Sequence, residues 1–178
     1  MATTKNGAPY PLGTDRLMDG DDVIHNLAQW VDDQLNTAAR IGKTASVSQP
    51  SGAVWTPVAW DQVSWDTKTM WSAANPTRFT LPYTGKYLCI ATIQWQGTAT
   101  PVGGRYLAWG KNGSPFYFTV TAPVGNSLNT VCQVVCTLGC AAGDYLEVMV
   151  QQSQGAALNI GGSGSSNFAE VHYRGLLT

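Results

Sequence analysis

Short runs of alternating apolar and polar residues, separated by Gly, Pro and Asn, fill the C-terminal part of this chain. Residues 78–95 read as a strand, a Pro-Tyr-Thr-Gly turn and a longer strand, and residues 106–113, 142–151 and 167–175 continue the pattern. Because successive side chains of a strand point to opposite faces, this alternation predicts β-strands. Ten strands are predicted, at residues 53–60, 62–66, 77–81, 86–96, 104–111, 115–121, 129–138, 144–152, 156–160 and 167–176.

The number of these strands and the shortness of their turns favour an all-β sandwich or jelly roll. A βαβ fold would need crossover helices between the strands. No segment after residue 53 is suited to form one. A chain of 178 residues can bury one sizeable core and carry a short appendage.

The N-terminal part divides into three regions. Residues 1–18 are punctuated by Pro and Gly and predict an extended arm; residues 41–52 lack an apolar face and predict a linker to a β domain at residues 53–178. Between them, residues 19–40 predict a helix that begins at the capping acids Asp19 and Asp21. Its apolar residues recur at helical spacing: Val23, Ile24, Leu27, Trp30, Val31 and Leu35. Such a short helix must pack against copies of itself around a threefold axis, the β domain or a docking partner.

The composition favours an oligomer. Only 12% of the residues are charged while 44% are hydrophobic, so extra apolar surface is expected to be buried between subunits rather than replaced by an uncharged polar surface. The net charge of −1 and the scattered basic residues argue against nucleic-acid binding. No run approaches the roughly 20 apolar residues of a membrane span. The N-terminal sequence lacks the apolar segment of a secretory signal, so synthesis in a cytoplasm is expected.

Cys132, Cys136 and Cys140 recur every fourth residue within a predicted strand. At about 3.3 Å per residue, neighbouring members of this series lie too far apart for a disulfide or a shared tetrahedral ion. The only histidines are His25 and His172. Buried, reduced cysteines are therefore predicted, with no metal and no cofactor.

Residues with catalytic potential are few. The sequence contains no G-x-S-x-G motif, and turn or cap roles explain Asp61 and Asp66 as well as a paired site would. His172 and Glu170 share a strand face, as an exposed pair or an interface contact. The glycine-rich residues 161–167 precede a strand rather than a helix, which predicts an inter-strand loop rather than a phosphate site. We expect no enzymatic activity.

Several of the seven tryptophans could form a sugar-binding surface. Trp55, Trp60 and Trp65 recur at intervals of five, which reverses the face of a regular strand, so they are not expected to line one groove. Packing in the core or in a trimer interface is the better prediction for most, including Trp95 and Trp109. Trp71 is the best candidate for an exposed aromatic, and with Asn75 it marks a candidate ligand loop.

Four segments of the β region together resemble the C1q/TNF-like jelly-roll superfamily, in particular its C1q-like branch. They are ANPTRFTLPYTGKYLCIATIQW, the KNG hairpin at 111–113, AGDYLEVMV and NFAEVHYRG, in the family's order. The resemblance covers about residues 55–178. It implies a ten-stranded jelly roll that forms a homotrimer and acts as a binding module or structural knob. No collagen region is present, and no calcium site transfers. The aromatic residues expected in the core or the trimer interface are Phe79, Tyr87, Trp95, Tyr106, Trp109, Tyr145, Phe168 and Tyr173.

The segment APYPLGTDRLMDGDDVIHNLAQWVDDQL resembles the N-terminal segments of bacteriophage virion proteins, including tail-fibre and minor tail proteins. This implies a virion protein whose knob is tethered by its arm and helix and contacts a host-surface glycan. The alternative is a capsid decoration protein or head fibre that stabilises the capsid. The residues expected to contact other virion proteins are Tyr10, Pro11, Asp15, Arg16, Ile24, Leu27, Trp30 and Val31.

Overall fold

The computed structural model describes residues 2–3, 9–10, 20–161 and 166–176. In the arm, β1 (Ala2–Thr3) pairs with β2 (Pro9–Tyr10), and α1 (Gly20–Asn36) follows. The remaining strands are β3 (Ala38–Gly42), β4 (Val47–Gln49), β5 (Gly52–Pro57), β6 (Gln62–Asp66), β7 (Trp71–Ser72), β8 (Asn75–Thr80), β9 (Gly85–Trp95), β10 (Arg105–Lys111), β11 (Ser114–Thr121), β12 (Thr130–Cys140), β13 (Tyr145–Gln152), β14 (Leu158–Ile160) and β15 (Phe168–Tyr173).

These thirteen described strands form two antiparallel sheets. Sheet I has the order β11-β10-β13-β8-β7, with β5 also paired to β13. Sheet II has the order β4-β14-β9-β15-β3-β6, with β12 also paired to β9. The neighbours β9 and β15 lie far apart in sequence, as do β10 and β13, so the sandwich is closed by long-range pairing. The prediction of an all-β jelly roll is confirmed.

All ten predicted strands are present, with bounds that differ by a few residues. The predicted boundaries of the N-terminal regions were wrong. The helix ends at Asn36 rather than at residue 40, and residues 41–52 contain part of β3, all of β4 and the start of β5. The strand β3 inserts between β15 and β6, where Ala39 and Ile41 are buried in the core. Its five residues follow the helix so closely that they show no periodicity separate from that of the helix.

The core lies between the sheets, where one face of each central strand is buried. Along β12 the pattern is strict: Cys132, Val134, Cys136, Leu138 and Cys140 point inward, and the residues between them point outward. All four cysteines are buried and free, as predicted. Cys136 lies directly opposite Cys89 of β9, a proximity that spacing along one strand could not reveal.

The Asn-Gly hairpin and the Gly-Asp turn of the sequence meet in the fold. Asn112 and Gly113 both have positive φ, which this tight hairpin requires. The Asn112 side chain accepts a hydrogen bond from the Tyr145 amide at 2.9 Å and donates one to Asp144 at 2.8 Å. The hydrogen bond from Asn112 lowers the pKa of Asp144, and a weaker contribution in the same direction comes from the hydrogen bond of the Ala141 amide. The two turns therefore stabilise each other.

The Pro-x-x-Gly-x-Tyr turn before β9 is held by a tyrosine. The Tyr87 hydroxyl donates to the Tyr83 carbonyl at 2.7 Å and accepts from the Tyr83 amide at 3.2 Å. At Gly85 the chain passes close to the end of β15. A Cβ there would lie 2.4 Å from the Tyr173 ring and 2.5 Å from the Gly175 carbonyl oxygen. The glycine of this motif is therefore required by close packing.

Gly85→Ala is expected to destabilise the protein by roughly 1–3 kcal/mol, because the added methyl group forces β9 and β15 apart. Gly125→Ala is the matched control, since nothing lies within 4 Å of a Cβ at that position. Urea unfolding of both variants at one protein concentration measures the difference. Equal stabilities of the two variants would contradict the close packing at Gly85.

Candidate self-association surface

On the outer face of sheet II, the side chains of five of its seven strands are arranged in rows. One row runs from Val135 of β12 through Ile90 of β9, Glu170 of β15 and Arg40 of β3 to Trp65 of β6, each residue directly opposite the next. Because pairing in register places such residues side by side on one face, the row gives the order of neighbouring side chains across the surface. It changes from apolar at β12 to charged at β15 and β3.

The half of this face formed by β9 and β12 carries no charge over most of its length. Its apolar side chains are Leu88 and Ile90, which are half-buried, and Val131 and Val135, which are 51% and 55% exposed. The outward residues between them, such as Thr92 and Gln133, are uncharged. We call Leu88, Ile90, Val131 and Val135 the β9/β12 patch. Such a patch on an ordered sheet is typical of a surface covered by protein.

The other half of the face carries a compact ionic cluster. Glu170 pairs with Arg40, and its second oxygen lies 3.1 Å from His172 Nε2. The Arg40 guanidinium lies 4.0 Å from the centre of the Phe168 ring, and the His172 ring is 5.4 Å from that of Trp65. The pairing of His172 with Glu170 on one strand face is therefore confirmed. Arg40 completes the cluster, although the sequence had placed it at the end of the helix.

A second apolar surface lies at the β11 edge of sheet I. Phe116 and Phe118 are 64% and 63% exposed, and Val120 follows on the same face. The ring of Trp55 lies 6.1 Å from that of Phe118 and 6.3 Å from that of Tyr106. We call these five residues the edge patch. Among the described strands, β11 pairs only with β10, so its other edge is free and borders an aromatic surface.

The aromatic residues predicted for the core or the trimer interface divide into two groups. Five are buried in the core: Phe79, Tyr87, Trp95, Trp109 and Tyr173. Three are half-buried on outer faces: Tyr106 in the edge patch, Phe168 beneath Arg40, and Tyr145, whose ring lies 4.1 Å from the Arg78 guanidinium. The exposure of each side chain in the single chain therefore distinguishes the core residues from those that remain accessible to an interface.

The tryptophans of the first β segments occupy three different places, as the face reversal predicts. Trp60 is in the core, Trp55 is in the edge patch, and Trp65 contacts His172 on sheet II. The prediction that Trp71 is an exposed aromatic was wrong. Trp71 is half-buried against the core, and its indole NH donates to the Pro76 carbonyl at 3.0 Å. Asn75 is exposed beside it, at the start of β8.

Asp61 and Asp66 each organise a turn instead of sharing a site. Asp61 accepts hydrogen bonds from Lys43 Nζ, from the Thr44 amide and hydroxyl, and from the Ala45 amide, all between 2.7 and 3.0 Å. Asp66 accepts from the amides of Lys68, Met70 and Trp71. Within the described ranges, no group of three or more His, Cys, Asp and Glu side chains could hold a metal ion.

The residues expected to attach the chain to other virion proteins are only partly described. Pro11, Asp15 and Arg16 lie outside the described residues, as does most of the 161–167 loop, and Tyr10 ends β2. On α1, Ile24, Leu27 and Val31 are exposed, whereas Trp30 is half-buried. No helix in the described part of the chain is long and apolar enough to span a membrane.

Sequence reasoning missed the residues of both patches apart from Tyr106 and Trp55. Two signals could have found them. The outward face of β12 runs through Val131, Gln133, Val135 and Thr137 without a charge, although it is not the core face. The segment SPFYFTVT of β11 carries no charge on either face and has Phe116, Phe118 and Val120 on one of them, which an edge strand in water does not need.

The fold is that of the TNF and C1q globular domains. The TNF protein Eiger from S. frugiperda matches with a TM-score of 0.60 at 12% identity, over 79% of this chain and 94% of that chain. Murine APRIL matches with a TM-score of 0.55 at 14% identity, over 75% and 95%. The globular domain of zebrafish complement 1qA matches with a TM-score of 0.55 at 12% identity, over 79% and 99%. No family model and no curated protein sequence matches the chain.

Proposed function

We propose that this chain is a non-enzymatic structural protein of a bacteriophage virion, in which the jelly roll forms a homotrimeric knob. Its function is host-surface attachment as a tail-fibre or minor tail component, with a cell-surface glycan as the ligand. The observation that carries the trimer is the pair of apolar surfaces, the β9/β12 patch and the edge patch, on opposite sheets of one sandwich. The N-terminal resemblance supports the virion.

A closed ring of subunits would bury both apolar patches of every copy, whereas a twofold dimer would bury only one. In an isologous dimer a patch covers its own copy, so the second patch stays exposed. In a closed ring the edge patch of each subunit covers the β9/β12 patch of the next, and every copy buries both surfaces. Three identical knob surfaces would also strengthen weak glycan contacts through avidity. The number of subunits, three, follows from the resemblance to C1q-like domains.

Sedimentation equilibrium of the full chain tests the assembly. We expect a single species with three times the mass of one chain, stable on dilution into the micromolar range. A monomer or a dimer would contradict the proposal. The copy number in purified virions tests the location: a few trimers are expected for a tail component, whereas a number comparable with the capsid subunits would favour the capsid decoration alternative.

A further inference from the structure

The helix α1 is attached to the jelly roll through its polar side. Asp33 pairs with Lys68 Nζ, and the Tyr83 hydroxyl donates to it at 3.2 Å. Gln29, one turn earlier, donates to the same carboxylate at 3.2 Å. The side of the helix that carries Asp33 and Gln29 therefore faces the β-sandwich.

The apolar side of α1 points the other way. Ile24, Leu27, Val31 and Leu35 follow one another at intervals of three and four residues, and at 3.6 residues per turn they lie about 180° from Asp33. All four are exposed, Ile24 by 69% and Leu35 by 78%. A surface helix normally turns its apolar stripe toward its own core. Here that orientation is reversed, so the stripe of these four residues stays exposed in the described part of the chain.

We propose that this stripe packs against the same stripe of the other copies of the chain, with the helices parallel and in register. The inference rests on the proposed homotrimer and adds a second contact between its subunits, formed by the helix that precedes the knob in the chain. The stripe extends over about 16 Å at 1.5 Å per residue, which is three helical turns. That length is too short to hold helices together alone, but it suffices once the knobs have brought the helices together.

The charges of α1 favour parallel over antiparallel packing. The helix contains four aspartates and no Lys or Arg. Asp21 and Asp32 lie along one flank of the stripe. The other flank is uncharged and carries Trp30, which is half-buried, and Val23, which is buried within its own chain. In a parallel arrangement each acidic flank faces the uncharged flank of the next helix. In an antiparallel pair, acidic flank would face acidic flank, and the aspartates would repel one another.

The connection to the knob also favours a second copy as the occupant. A single residue, Thr37, joins the end of α1 to β3, and Thr37 is buried. The strand β3 belongs to sheet II, which carries the β9/β12 patch. The position of the helix is therefore tied to the sheet through which the proposed trimer assembles, so subunits that meet there bring their helices together.

Cysteine cross-linking of the full chain tests the arrangement. Ile24→Cys and Leu35→Cys, made separately, are each expected to give disulfide-linked dimers of chains under mild oxidation, because parallel helices in register bring identical positions together. Asn26→Cys is the matched control, since Asn26 lies away from the stripe, on the side of the helix that carries Asp33, and is itself exposed. The unmodified chain, whose four cysteines are buried, provides the background.

The same samples are sedimented, so that two kinds of failure can be told apart. A trimer without cross-links at residues 24 and 35, or with equal cross-linking at residue 26, would overturn the helix contact while leaving the trimer in place. An antiparallel arrangement would overturn it as well, since it separates each end position from its own copy by about 16 Å. A monomeric chain would refute the proposed trimer itself.

Discussion

Val135→Glu is expected to convert the assembled protein into monomers. Val135 lies opposite Ile90 in the β9/β12 patch, where the introduced carboxylate would be buried without a cation. The nearest acidic or basic partner along the row is Glu170, which is itself negative and is held by Arg40. Burial of one unpaired carboxylate costs several kcal/mol. Because each ring would contain three such carboxylates, the association constant for assembly should fall by more than roughly a thousandfold.

Val102→Glu is the matched control for this change. Val102 is about as exposed as Val135 but lies in the loop between β9 and β10, outside both patches. Its assembly should be unchanged in sedimentation equilibrium, and thermal unfolding should show that both variants are folded. Phe118→Glu, in the edge patch, should also give monomers. A dimer that Val135→Glu dissociates and Phe118→Glu leaves intact would refute the ring.

Asp61→Asn should lower the free energy of unfolding by about 2 kcal/mol at neutral pH. The change keeps the shape of the side chain, but it removes the charge that Lys43 requires. It also replaces one acceptor oxygen by an NH2 group, which then faces the donors of either Thr44 or Lys43 and Ala45. Lys43 is buried, so its ammonium group would lose its only close carboxylate among the described ion pairs. Breaking a fully buried pair costs 3–5 kcal/mol. Asp61 is partly exposed, and water screens the interaction, which reduces the expected loss.

The effect of Asp61→Asn should depend on pH. Burial opposes the ionisation of Asp61, but the hydrogen bonds from Lys43, Thr44 and Ala45 outweigh it and hold the pKa well below its usual range. A depressed pKa stabilises the folded state above the unfolded value of about 3.9, and this stabilisation is lost as the pH falls below it. The difference in the free energy of unfolding between wild type and Asp61→Asn should therefore become smaller as the pH falls below about 4.

Urea unfolding at pH 7 and pH 3, at one protein concentration, measures both the loss and its pH dependence. A fixed concentration is needed because self-association contributes to the apparent stability. Asp22→Asn is the control, since Asp22 is exposed on α1, and it should change the stability by no more than about 0.5 kcal/mol. A loss for Asp61→Asn that equals the control would contradict the structural role of Asp61.

Local pattern was sufficient to predict most of the β-sandwich. The alternation in GKYLCIATIQW and TVCQVVCTLGC reflects burial of one strand face, and that periodicity is written in neighbouring residues. The turns at 82–85 and 111–113 were equally visible, because Gly, Pro and Asn report backbone geometry directly. The strand β3 was missed because five residues after a helix are too few to show a period of their own.

The fold class, the strand positions and the buried reduced cysteines were all predictable from the amino-acid pattern, since each depends on periodicity or on spacing along the chain. Which outward residues lie together depends instead on how distant strands pair. Val135, Ile90, Glu170 and Arg40 come from four strands that are distant in sequence, and only long-range register makes them one row. Which face of α1 turns toward the sandwich is likewise set by Asp33, because its partners Lys68 and Tyr83 lie far along the chain. An amphipathic pattern shows that a face is apolar, but contacts between distant residues determine whether that face meets the core or the solvent.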